Sequence, residues 1–231
     1  MGQHGEYWEL VIIMARDDWF RNRQWTPEIE TKFFDKLARA RNIGTRGQYL
    51  RIQAVSLIDS LPDVSLRLLD KYFGLGDHFE AGLAHRIRGD ARRALGQMQK
   101  ALDDYDAALK HDKTSNFKSG AELSFALLVA EEKVSSQYER AMTLANPFRT
   151  NPTFPVERFL ACAVRAIIFS DTLRHVEAAD SASEALTAAG IVHSGFRYHP
   201  TVGLVGSRHE ALIGRMRQLL DSRGRPNLRP N

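Results

Sequence analysis

Leu95-Gly96-Gln97-Met98-Gln99-Lys100-Ala101-Leu102-Asp103-Asp104-Tyr105-Asp106-Ala107-Ala108-Leu109 is the stretch whose reading decides the fold. After the turn at Gly96, Ala101, Tyr105 and Ala108 follow at intervals of four and three, one face of a helix. Small residues at 101 and 108 let a neighbouring helix approach, and the aromatic between them fills the gap that remains. Just upstream, residues 83–95 set Ala84, Ile87, Ala91, Ala94 and Leu95 on one face, with Arg86, Arg88, Arg92 and Arg93 mostly elsewhere. Two amphipathic helices joined by a glycine turn make a helical hairpin.

The same grammar extends in both directions. Thr26-Pro27-Glu28 opens a helix, since proline suits the first helical position and acids there complement the dipole. Its apolar residues Ile29, Phe33, Leu37 and Ala40 share a face. Residues 49–58 are apolar nearly all round, with Leu50, Ile52, Ala54, Val55, Leu57 and Ile58, which predicts a sandwiched helix. Pro62 starts the next, ending near Gly74. A third pair is expected over 117–130 and 133–145. The prolines at 147, 152 and 155 then predict a loop. A fourth pair spans 158–170 and 173–189, and Ser207 with Glu210 reads as a capping box for a last helix. No segment alternates as a strand does.

The pattern of the second helices recurs. Ser65, Leu69 and Tyr72, then Ala101, Tyr105 and Ala108, then Val134, Tyr138 and Ala141, then Ala178, Ala182 and Ala185 occupy equivalent places, at intervals of 36, 33 and 44 residues. Residues 95–109 resemble the second helix of a tetratricopeptide repeat with its preceding turn, and allowing for a proline-rich insertion the spacing approaches that family's period of about 34. The likeness covers roughly residues 46–190 and weakens in the first helices. There the usual aromatic, leucine and glycine series is met only in part, by Tyr49 and Ile52, and by Phe117, Gly120 and Ala121; Gly89 reads as lying off the apolar face. The resemblance implies an all-α solenoid of stacked antiparallel hairpins near 46–74, 82–110, 115–146 and 158–190, with a C-terminal capping helix within 191–222. An N-terminal arm (1–25) precedes this single domain (26–222), and a flexible basic tail (223–231) follows. It also implies a concave face, lined by first helices, that holds a protein or peptide partner.

Composition narrows the function classes. The chain has 231 residues, 43% hydrophobic and 26% charged, ordinary globular values. No apolar run reaches the roughly 20 residues of a membrane span, and neither a signal peptide nor a myristoylation site is recognisable, so a cytoplasmic protein of bacterial type is expected. Met14 offers a second start position. The formal net charge of +4 arises after residue 207, where six arginines face two carboxylates; the remainder balances. A nucleic-acid-associated regulator using the basic helix and the tail is therefore the alternative reading, and terminal hairpins leave room for packing on a second copy.

Candidate site residues are few. Arg86, Asp90 and Arg93 belong to the densest charge cluster, where guanidinium forks suit carboxylates or phosphates of a partner; a solvated face is the commoner outcome for such a run. Trp19, Arg21 and Trp25 sit in a segment of tryptophans and charge outside any helical period. They form either a binding hot spot or, the reading favoured here, pins that hold the arm on the first hairpin. The loop 195–204, rich in aromatics and glycine, is expected to seal the end of the array. Cys162, the single cysteine, reads as core rather than nucleophile. No metal-ligand spacing, phosphate loop or nucleophile elbow occurs, so no cofactor and no catalysis are expected.

Overall fold

Ten α-helices and no strand make up the computed structural model, which describes residues 18–76 and 80–221. The alternative start at Met14, most of the arm and the tail from Arg223 lie outside the described residues. None of the helices in the described residues is long and apolar enough to cross a membrane. The chain divides into two compact units, residues 1–119 and 120–231.

In the first unit α1 (Pro27–Arg39) begins at Thr26, whose hydroxyl accepts the Ile29 N–H. α2 (Ile43–Leu57) packs on α3 (Pro62–Phe73), and α4 (Ala81–Ala94) on α5 (Met98–Asp112); α3 and α2 also touch α4. The core joins Phe33 and Leu37 to Leu50, Ala54, Leu57, Leu68, Leu69, Tyr72, Ala84 and Ile87. Two expectations change here. α2 is not sandwiched on every side: Val55 is 44% exposed, while the polar Gln53 and Arg51 are buried. Gly89 does lie on the buried face: a Cβ there would stand 2.5 Å from Cε1 of Tyr105, so the glycine is the socket for that ring. The Tyr105 hydroxyl donates to Asp90 Oδ1 at 2.8 Å, and burial together with the Asp90 charge pushes the phenol far above its usual range.

In the second unit α6 (Ala121–Glu131) packs on α7 (Tyr138–Thr150), α8 (Pro155–Asp171) on both, and α9 (His175–Ala189) on α8. α10 (Glu210–Asp221) closes the unit against α9, burying Ile213 and Met216. Helix α6 starts later than expected, after Gly120 at φ +72°, and leaves Phe117 outside and 59% exposed. Helix α7 runs through Pro147, where a loop was predicted; so close to the helix end the proline removes a single ladder bond. Ser207 lies inside a 3-10 turn (Ser207–His209) rather than capping α10. The loop before that turn docks on the start of α8: Gly203 O accepts the Val156 N–H at 2.9 Å, and Phe196 packs on Phe154 at 5.7 Å. Across hairpins, the Tyr138 hydroxyl donates to Asp171 at 2.7 Å, and burial with that bond raises the phenol to about 12.

Candidate binding groove

A buried polar side chain on α2 clasps the backbone of the arm. Gln53, fully buried on α2, accepts the Asn22 N–H at 3.0 Å through Oε1 and donates from Nε2 to Asn22 O at 2.7 Å. This two-way clasp fixes the backbone between the two tryptophans. Trp19 then packs on Phe33 (5.3 Å) and Tyr49 (4.8 Å), with Phe20 stacked on the same tyrosine at 4.7 Å. Trp25 packs on Phe33 and Phe34, and its indole N–H donates to Glu30 at 3.0 Å. Arg21 is exposed, bonded to Asp18 and laid over Phe20.

Between the arm and α1 lies a half-open groove of ≈ 250 Å³. Trp19, Ile29 and Phe33 supply its apolar walls, and Lys32, Lys36 and Arg39 its rim, with Asp35 the one acid and Asn22 at the end. The three cations follow at intervals of four and three along α1, so one helix face carries them all. Lys36 Nζ stands 5.7 Å from the Trp19 ring. The groove thus pairs aromatic surface with a basic edge, a setting suited to a ligand that is apolar in part and anionic in part. Its basic residues escaped the sequence reading, although their helical spacing was the signal that marks them.

The other candidate residues are engaged within the protein. On α4, Arg86 donates to Asp90 Oδ2 at 2.7 Å, and Asp90 also holds Tyr105, so these form one polar cluster; Arg93 lies half-buried within reach of the same tyrosine's charge field. Arg88 and Arg92 converge on Asp104 at 2.7 and 2.8 Å. Burial raises the Asp104 carboxyl, but hydrogen bonds from His85 and Arg88 and the charges of Arg88 and Arg92 more than offset it, leaving it below the usual range. Trp19, Arg21 and Trp25 come together at the arm, and Arg86, Asp90 and Arg93 along α4. Among the described residues no group of three or more histidine, cysteine, aspartate and glutamate side chains is placed to hold a metal. Comparison with protein-family models, curated proteins and solved structures returns no match.

Proposed function

We propose that the chain is a non-catalytic adaptor of helical-repeat type, with its hairpins stacked as a solenoid, that holds a protein or peptide partner. The Trp19 groove takes an acidic segment carrying an apolar or aromatic side chain. The observation that carries this reading is the aromatic wall of Trp19 and Phe33 beneath the Lys32, Lys36 and Arg39 rim. An aromatic anchor supplies affinity, and the basic rim supplies orientation and association rate. Arg86, Arg88 and Arg92 of α4, on which a nucleic-acid reading would lean, bind Asp90 and Asp104 instead.

The test is selection of displayed random peptides on the full chain. Selected sequences should combine aspartate or glutamate with a large apolar residue, and Lys32→Glu with Arg39→Glu should lower their affinity by at least about tenfold. Selected peptides without acidic character, or undiminished binding to the charge-reversed chain, would overturn the reading. A mobility shift with DNA that survives this charge reversal would favour a nucleic-acid partner.

A further inference from the structure

Helix α8 is buried nearly all round: between Phe159 and Phe169 only Leu160 and Arg165 keep accessible surface. A helix so enclosed favours apolar residues throughout, and an arginine in its middle is out of place unless something pairs with it. Nothing in the described residues does. Arg165 Nε is shielded from solvent and makes no hydrogen bond, and the Glu184 carboxylate acts on the guanidinium only through its charge. Buried donors are otherwise almost always satisfied.

Around Arg165 stand further arginines, with the carboxylate of Glu184 among them. Arg158, Cys162 and Arg165 follow at intervals of four and three along one face of α8. Arg149 forks onto Glu184 with both nitrogens at 2.9 Å, and Glu184 also accepts weakly from the Cys162 thiol at 3.5 Å. On the other side, Arg165 Cζ stands 5.0 Å and Arg174 Cζ 4.2 Å from the centroid of Phe169, so one ring anchors two guanidiniums. Arg174 is bound by Glu177. Four arginines therefore meet two glutamates, and Arg158 and Arg165 have no ion-pair partner among the described residues. Burial, followed by the charge of Arg149, holds the Arg165 guanidinium below its ordinary range against the opposing pull of the Glu184 carboxylate.

We propose that Arg165, flanked by Arg158 and Arg174, is the receptor for one oxyanion group, a phosphate or a carboxylate, of a ligand that docks on the second unit. The planar fork of an arginine suits an oxyanion, Arg165 itself keeps accessible surface on α8, and its guanidinium lies against the Phe169 ring. This site is separate from the Trp19 groove and stands whether or not that groove binds peptide.

The experiment uses the full chain labelled with ¹⁵N and follows arginine Nε–Hε resonances during titration with sodium phosphate and, in parallel, sodium acetate, with chloride holding ionic strength constant. The Arg165 signal, identified by its loss in Arg165→Lys, should move saturably in the millimolar range, while that of exposed Arg217 should barely respond. Tighter saturation by phosphate marks a phosphorylated ligand, and tighter saturation by acetate a carboxylate. Arg165→Gln should weaken the favoured anion by about tenfold, read through Arg174. Arg174→Gln, which touches the core less, should weaken it by at least about threefold and serves if the first variant loses helicity. A linear shift shared by all arginines, or equal binding by the folded variants, would overturn the proposal.

Discussion

Replacing Gly89 by alanine tests the packing on which the first unit rests. The added Cβ would stand 2.5, 2.7 and 3.1 Å from Cε1, Cδ1 and Cζ of Tyr105, all well inside ordinary contact. The ring is fully buried and its hydroxyl is anchored on Asp90 at 2.8 Å, so it cannot swing aside without losing that bond. Overpacking of this kind costs about 1–3 kcal/mol. A strained or broken bond to a carboxylate adds about 1–3 kcal/mol, and the better helix propensity of alanine returns about 1 kcal/mol. The expected net loss is therefore about 1–5 kcal/mol, measured as the urea midpoint by circular dichroism. In a Tyr105→Ala background the socket is empty, and the same Gly89→Ala change should be neutral or stabilising by up to about 1 kcal/mol. A neutral Gly89→Ala in the native background, or an equal loss in both backgrounds, would refute the socket.

Gln53→Ala removes both strands of the Asn22 clasp and should cost about 1–3 kcal/mol while shifting tryptophan emission to the red; unchanged emission would show that the aromatic contacts alone hold the arm. Asp104 has a folded pKa below its unfolded one, so its contribution is present above about pH 3.9 and disappears as the pH falls through the lower folded value. Asp104→Asn should accordingly destabilise the chain at neutral pH and flatten its stability profile below pH ~4, which acid titration followed by circular dichroism checks. Burial and then the Glu184 charge raise the Cys162 thiol to about 11, so iodoacetamide at neutral pH should label it only as the chain unfolds; labelling of the native protein at the rate of an exposed thiol would contradict its burial.

Legibility in the sequence followed how local each signal was. The helices with strong periodicity, such as Pro62–Phe73, were readable because apolar spacing and the proline start both lie within the element. Gly89 was misread because a glycine carries no hydropathy; its role is set by Tyr105, a knob on the next helix. α2 was misread for a related reason. Arg51 and Gln53 are buried because Glu80 and Asn22, 29 and 31 residues away in sequence, satisfy them, and periodicity within the helix cannot register either partner.

Charge density was a poorer guide to a binding surface than charge balance. The arginines of α4 drew attention by their number, yet Asp90 lies four residues from Arg86, and Asp104 sits sixteen beyond Arg88 in the facing helix. A run of like charges beside a helix that returns matching acids neutralises itself on folding. The sparser set on α1 shares the groove lining with a single acid, Asp35, and Arg165 Nε on α8 makes no hydrogen bond. Because solvation of a charge is lost with burial, a buried cation that meets no carboxylate carries more binding potential than several that are paired. Lys36 beside Trp19 and Arg165 beside Phe169 both hold positive charge against an aromatic ring, and these are the two places where the proposals above seat an anionic group.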